Sequence, residues 1–173
     1  MAMNEVELDP VTHITTDAIG KPGQRVFYLQ AWKGDQSVTL IIEKVQVQSL
    51  AVGVEQFLAD IQQRYPDLVE ADKSYDESKM HIQPPLDPLF RVGELSLAYD
   101  TVRDLVCLIA EEATAVEGEE PQVARFWCTR SQLRSMIHWG LDVASRGRMI
   151  CPQCGEPMDP GGHFCPKRNG HKH

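Results

Sequence analysis

The sequence predicts an α+β fold, in which one antiparallel sheet of about six strands carries two helices on one face. Short segments rich in β-branched and aromatic residues are separated by tight turns, as in hairpins. Two longer segments repeat apolar residues at spacings of three and four, which is typical of amphipathic helices. The hairpins disfavour a parallel α/β sheet, and neither helix follows a glycine-rich nucleotide-binding loop.

The first half of the chain contains three predicted strands and one helix. The polar first ten residues are expected to fray, and the strands are predicted at 11–18, 24–33 and 37–43. A helix is predicted over 46–64, because its apolar residues form a single stripe: Val47, Leu50, Val54, Phe57, Leu58 and Ile61. Residues 67–88 are polar and contain three prolines, so they are predicted to form a crossing loop.

The second half repeats this order of elements. Strands are predicted at 90–99, 104–111 and 123–129, and Cys107 within the second of them is expected to be a small buried apolar residue. A helix should begin after Thr129, because Gln132 three residues later completes a capping box, and Gly147 lies where a helix commonly ends. Each half therefore has a hairpin, a further strand and a closing helix, which predicts a pseudo-repeat of two halves.

The C-terminal residues 149–173 differ from the rest and are predicted to be a small zinc knuckle attached to an α+β domain of residues 1–148. Cys151 and Cys154 are spaced as Cys-x-x-Cys before a glycine, and Cys165 follows eleven residues later. Structural zinc sites take four thiolate or imidazole ligands in a tetrahedron. His163 is the first choice for the fourth ligand, because residues two apart in an extended segment point to the same side. His171 is the alternative.

Charge is distributed unevenly along the 173 residues. Residues 146–173 contain five basic and two acidic residues, a net charge of +3, so the first 145 residues carry −11 of the total of −8. An acidic body disfavours non-specific nucleic-acid binding, which depends on neutralising phosphates. No stretch is long and apolar enough to span a membrane, and the acidic N-terminus does not resemble a signal peptide, so we expect a cytoplasmic protein.

Two functional hypotheses follow from these features. In the first, the protein is a binding or adaptor module that presents a structural zinc knuckle to a protein partner, since four protein ligands leave no open position for catalysis. In the second, it is an enzyme acting on a phosphorylated small molecule in a cleft of the α+β domain. The candidate residues for the second lie at predicted strand and helix ends: Asp17, Lys21, Arg25 and Arg130. His81 and His138 are expected to be surface or packing residues.

Two motifs resemble the domain of unknown function 3090 family of bacterial proteins. The first is Ile14-Thr-Thr-Asp-Ala-Ile-Gly-Lys-Pro-Gly-Gln-Arg-Val-Phe-Tyr-Leu-Gln30 near the start of the chain. The second combines Thr129-Arg-Ser-Gln-Leu-Arg134 with the run from Gly147 to Gly170. The resemblance implies a cytoplasmic protein with a zinc-ribbon-like C-terminus, in which a histidine stands at position 163. It implies no established activity.

Overall fold

A computed structural model describes residues 5–21, 23–114 and 116–146 of the chain. Their elements follow in the order β1 (Glu5–Leu8), β2 (His13–Ile19), β3 (Val26–Lys33), β4 (Gln36–Ile42), α1 (Lys44–Arg64), β5 (Val92–Asp100), β6 (Leu105–Glu112), β7 (Val123–Cys128) and α2 (Arg130–Ser145). A single 3-10 turn, Glu77–Lys79, lies in the long segment between α1 and β5. None of these helices is long and apolar enough to cross a membrane.

Both predicted helices are present, and local sequence explains where each one begins. Thr129 caps α2 as predicted: its hydroxyl oxygen accepts a hydrogen bond from the Gln132 amide at 3.0 Å, and the Gln132 side chain accepts one from the Thr129 amide at 2.9 Å. At the start of α1, the Gln46 side chain accepts a hydrogen bond from the Glu43 amide at 2.8 Å. The apolar stripe predicted for α1 is buried, apart from Phe57, which is half-buried.

The prediction of one antiparallel sheet is wrong, because the strands form two sheets. One has the order β2-β3-β4 and the other the order β1-β7-β6-β5. A single bridge between Ile41 and Arg91 links them among the described residues. The side-chain amide of Gln46 donates to the carbonyl oxygens of Val92 at 3.0 Å and Gly93 at 3.2 Å. The first turn of α1 therefore occupies the strand edge along which β4 would have had to pair.

Strand β1 was not expected, since the first ten residues were predicted to fray. Its four residues pair in parallel with β7, and Leu8 at its end is fully buried. The glutamates that make this segment look like a tail have partners on β7: Glu7 accepts a hydrogen bond from the Trp127 indole at 2.9 Å, and Glu5 lies 3.1 Å from Arg125. A strand of only four residues, two of them charged, has too little periodicity to be recognised without its partner.

The pseudo-repeat is present in the order of elements. Strands β2, β3 and β4 are consecutive and antiparallel and lead into α1, and β5, β6 and β7 lead into α2 in the same way. The two halves share one apolar core, to which both sheets and both helices contribute. The repeat therefore produces two sheets around one core.

The two faces of the β2–β3–β4 sheet differ in polarity. On one face Thr16 of β2 lies against α2, where a side chain on Gly140 would come within 2.7 Å of the threonine methyl group. The opposite face carries buried polar residues and is covered by the crossing segment, residues 67–91: Thr15 donates to the carbonyl of Met80 at 2.6 Å, and Gln30 exchanges hydrogen bonds with the backbone of Gln83 at 2.8 and 2.9 Å. The predicted loop is a cover for the polar face.

Candidate functional site

A long groove, which we call the α1–β5 groove, runs between α1 and the outermost strand of the four-stranded sheet. The two elements run in the same direction, because Gln46 at the start of α1 contacts Val92 and the ring of Tyr65 just after α1 lies 6.2 Å from that of Tyr99. From Gln46 to Tyr65 a helix spans about 28 Å, and from Val92 to Tyr99 a strand spans about 24 Å. Helix and strand therefore flank the groove along most of their lengths.

Apolar side chains line the deeper part of the groove, which has a volume of about 450 Å³. Leu50 and Phe57 lie on its helical side, and Leu95 and Leu97 lie on its strand side. Gly53, also on the helical side, widens it: a Cβ atom built there would meet no atom within 4 Å apart from the nearby backbone of its own helix. The groove continues past Phe57 to Tyr65 and Tyr99 through an adjoining cavity of about 270 Å³.

The strand side of the groove has an unpaired backbone edge. Strand β5 pairs with β6 and with no second strand in the part of the chain that the structure describes. After the two carbonyl groups that accept hydrogen bonds from Gln46, its outer edge from Glu94 to Tyr99 has no backbone partner among these residues. An open strand edge beside an apolar groove can accept an extended segment of another chain as an additional strand.

The four residues proposed for an enzyme site do not share one cleft. Asp17 lies under the crossing segment, with its carboxylate 3.0 Å from Nδ1 of His81. Lys21 is exposed in the turn between β2 and β3. Arg25 donates to the carbonyl oxygen of Val143 at 2.9 Å and lines a separate cavity at the start of α1. Arg130 pairs with Asp104 at 2.8 Å and lines a different cavity between α1 and α2.

The ion pair between Arg130 and Asp104 stabilises the junction of β6 and α2. Arg130 donates to both carboxylate oxygens, at 2.8 and 3.1 Å, and to the carbonyl of Val69 at 2.8 Å. The hydrogen bonds from Arg130 lower the pKa of the Asp104 carboxyl group despite partial burial. Burial and the bond to Asp104 raise the pKa of Tyr99 to about 12. The polar groups of Arg130, Asp104 and Tyr99 therefore form hydrogen bonds with one another, which indicates a structural role for these three residues.

Both histidines that were expected to be surface or packing residues have carboxylate partners distant in sequence. His138 on α2 lies 2.5 Å from Glu55 on α1, and Arg134 lies 3.0 Å from the same carboxylate. Burial opposes ionisation of Glu55, but hydrogen bonds from Arg134 and His138 lower its pKa overall. His81 pairs with Asp17, 64 residues away. No pattern in the sequence indicates these pairs, because each joins two elements that meet only in the folded chain.

The two cysteines in the described part of the chain are buried free thiols. Burial raises the pKa of Cys107 to about 11, and it raises the pKa of Cys128 further. A thiol with a raised pKa is a poor nucleophile and a poor metal ligand. The prediction that Cys107 is a small buried apolar residue is confirmed.

The predicted zinc ligands lie outside the described residues: Cys151, Cys154, His163 and Cys165, with His171 as the alternative. Within the described segments no group of three or more metal-ligating side chains occurs. By chemistry alone, three cysteines and one histidine form a donor set that suits structural zinc. The zinc site therefore stays a prediction.

One family of proteins matches nearly the whole chain. The family model described as "Protein of unknown function (DUF3090)" matches residues 6–165, which include the α+β body and the cysteine-containing segment as far as Cys165. No curated protein and no solved structure matches the chain. The match over residues 6–165 covers far more than half of the sequence, and the chain belongs to the DUF3090 family of proteins of unknown function.

Proposed function

We propose that this protein is a zinc-binding protein-interaction module. In this proposal the α+β body binds an extended segment of a partner protein in the α1–β5 groove, and the C-terminal segment holds a structural zinc ion. The observation that carries the proposal is the combination of an apolar groove with the unpaired edge of β5.

The groove has the two features that strand addition requires. Backbone N–H and C=O groups on the outer edge of β5 can pair with a peptide, which provides affinity without regard to sequence. Leu95, Leu97 and Tyr99 are spaced two apart, so their side chains lie on the same face of the strand. Alternate side chains of the peptide would pack against this row and against Leu50 and Phe57 of α1. These apolar contacts would provide specificity.

Charge favours a neutral or basic segment as the occupant. The first 145 residues carry a net charge of −11, which attracts positive segments and repels acidic ones over the distance of a Debye length, about 8 Å at physiological salt. Glu94 is an exposed carboxylate on β5 beside the groove. We therefore propose a partner segment in which apolar residues alternate with basic or uncharged polar ones.

The zinc ion would have a structural role. Cys151, Cys154, Cys165 and one histidine, His163 or His171, would fill all four positions of a tetrahedron, which leaves none for a reacting water molecule. A closed site of this kind supplies folding free energy to a short segment that has few apolar residues of its own. The residues from 146 onward carry +3, so this segment could present a basic surface to the same partner or to another.

A selection from random peptides displayed on phage, with the full-length protein as bait, tests the groove. We expect the selected peptides to share alternating apolar residues and to carry few acidic ones. Their binding should shift the backbone NMR signals of Leu95, Leu97 and Gly53. The substitution Gly53→Arg should abolish binding, because its side chain would extend into space that is now open.

Gly53→Ala is the matched control, since it adds a single methyl group where no atom lies within 4 Å and should retain binding. The proposal is wrong if the selected peptides bind Gly53→Arg as tightly as the native protein. It is equally wrong if the NMR shifts cluster away from α1 and β5.

A further inference from the structure

We propose that the cavity at the start of α1 is a binding site for the phosphate group of a small phosphorylated compound, held by Arg25, Lys44 and Arg91. This site is separate from the α1–β5 groove, and its existence does not depend on the protein-interaction role proposed above. The cavity has a volume of about 270 Å³.

The fold brings the three cationic residues to one cavity from different parts of the sequence. Phe27 of β3 is paired with Ile42 of β4. Arg25 precedes this pair by two residues and Lys44 follows it by two, so both leave the sheet at the same end. Arg91 reaches that end because it forms a bridge with Ile41. All three residues line the cavity.

Positive charge in the cavity is only partly compensated. Its one acidic lining residue, Glu43, pairs with Arg91 at 2.6 Å. Lys44 is exposed and has no ion pair or side-chain hydrogen bond with any described residue. Arg25 donates to the neutral carbonyl of Val143, and no described carboxylate lies within ion-pairing distance of it. Two of the three positive charges are therefore available to an anion, on a body whose net charge is strongly negative.

The position of Arg25 favours an anionic ligand in particular. Its guanidinium group is half-buried and lies 5.1 Å from the centre of the Phe27 ring, and the bond to Val143 fixes its direction. Burial lowers the pKa of Arg25, and the charge of Asp17 only partly offsets this effect. A cation whose loss of hydration is only partly offset by a carboxylate is stabilised when an anion binds beside it. Arginine and lysine together are well suited to phosphate oxygens.

The size and walls of the cavity limit the ligand to a small one. Pockets for drug-sized ligands have volumes of roughly 300–1,000 Å³, and this cavity lies just below that range. Phe27 and Ile42 form part of its wall, and apolar walls strengthen the attraction between a phosphate dianion and the three cations. The shared chemistry is a phosphate dianion, either free or as the monoester of a small molecule.

The test is a titration of the full-length protein with inorganic phosphate and, separately, with glycerol phosphate at constant ionic strength. We expect saturable NMR shifts at Gly23, Lys44 and Arg91. Lys44→Gln should weaken binding about tenfold, the usual effect of losing one charged hydrogen-bond partner. Arg64→Gln is the matched control, because it removes one positive charge at the other end of α1, about 30 Å away, and should change affinity less than about twofold.

Tighter binding of the ester than of free phosphate would identify a phosphorylated small molecule as the ligand, and equal binding would identify the free anion. The site does not exist if chloride at the same ionic strength reproduces the shifts. The proposal would also be wrong if Lys44→Gln and Arg64→Gln weakened phosphate binding equally. Gly53→Arg should leave phosphate binding unchanged, so failure of this site and failure of the groove are distinguishable.

Discussion

Gln30 is a fully buried amide that holds the crossing segment on the polar face of the β2–β3–β4 sheet. Its side chain donates to the hydroxyl oxygen of Thr39 at 2.9 Å and to the carbonyl of Gln83 at 2.9 Å, and it accepts from the Gln83 amide at 2.8 Å. A glutamine in the middle of a strand would ordinarily face solvent. Here its three hydrogen bonds replace the hydrogen bonds to water that the side chain loses on burial.

We expect Gln30→Leu to lower the free energy of unfolding by about 1–3 kcal/mol, because it leaves the backbone groups of Gln83 and the hydroxyl of Thr39 without their partner. Urea denaturation measures this change. The control is Gln83→Ala, which keeps the backbone and removes an exposed side chain, and which should change stability by less than about 0.5 kcal/mol. If the two variants changed the free energy of unfolding equally, the hydrogen bonds of the Gln30 side chain would not be what holds the crossing segment.

Asp104 combines a left-handed backbone, with φ of 53°, and a carboxylate paired with Arg130. Asparagine tolerates this backbone, so Asp104→Asn tests the charge alone. We expect it to destabilise the protein by about 1 kcal/mol at pH 7, because the Arg130 side chain is only 10% exposed whereas the Asp104 side chain, at 39%, is partly screened by water.

The effect of Asp104→Asn should depend on pH in one direction. The folded-state pKa of Asp104 lies below its ordinary value of 3.8, so the stabilisation is fully present above that value and is lost as the pH falls through the folded-state pKa. The stability difference between native protein and variant should therefore be constant near neutrality and shrink in acid. Urea midpoints measured from pH 7 to pH 2.5 give this difference, and a gap that widened in acid would refute the argument.

At the scale of elements, the two helices each contain a glycine, and the same substitution should have opposite effects at the two positions. Gly53 faces the open groove, so Gly53→Ala should stabilise the protein by about 0.5–1 kcal/mol through helix propensity. At Gly140 an added Cβ would lie 2.7 Å from the methyl group of Thr16 and 3.0 Å from Val47. Thr16 cannot rotate away without losing its hydrogen bond to Tyr28 at 2.8 Å. Gly140→Ala should therefore destabilise by about 1–3 kcal/mol.

Thermal and urea denaturation of the two alanine variants, side by side, check the opposite signs. A stabilising Gly140→Ala would mean that α2 can move away from β2 at little cost. Such a result would also show that the close approach of Gly140 to Thr16 and Val47 does not hold α2 in place against β2 and α1.

At the scale of the whole molecule, the described body has one core to which both sheets and both helices contribute. All four predicted zinc ligands follow Ala144 in the sequence, which is the last core residue in the part of the chain that the structure describes. We expect Cys154→Ser to release zinc, measured by elemental mass spectrometry against one zinc per native chain. The thermal transition of the body should shift by less than about 2 °C, as for a change below 1 kcal/mol in a chain of this size. Cooperative unfolding of the entire chain in this variant would contradict the prediction that the α+β body folds independently of the zinc-binding segment.

The fourth zinc ligand can be identified by two matched substitutions. His163→Ala should release the metal, and His171→Ala should leave it bound, if the side chain two residues before Cys165 completes the tetrahedron. Zinc content and resistance to a mild chelator measure both. Loss of zinc from His171→Ala alone would assign the fourth position to His171.

Elements with strong local periodicity were predictable, and features that depend on a distant partner were not. The stripe of α1, the cap of α2 at Thr129 and the hairpin of β3 and β4 all appear as predicted, because each is encoded within a few consecutive residues. Strand β1 depends on β7, and the contact of Gln46 with the start of β5 joins residues that are 46 positions apart. Of the residues suggested for a site, Arg25 lies in the cationic cavity, and Lys44 and Arg91 beside it had no local signal.

The sequence by itself determined the α+β class, the order of strands and helices in two similar halves, the acidic charge of the body and the spacing of the predicted zinc ligands. These are properties of residue composition and short-range spacing. The tertiary structure alone decided that the strands form two sheets, that β5 keeps an open edge beside α1, and that three cations meet at one cavity. Those features arise where segments that are distant in the sequence come into contact, and no local pattern of side chains specifies which segments will meet.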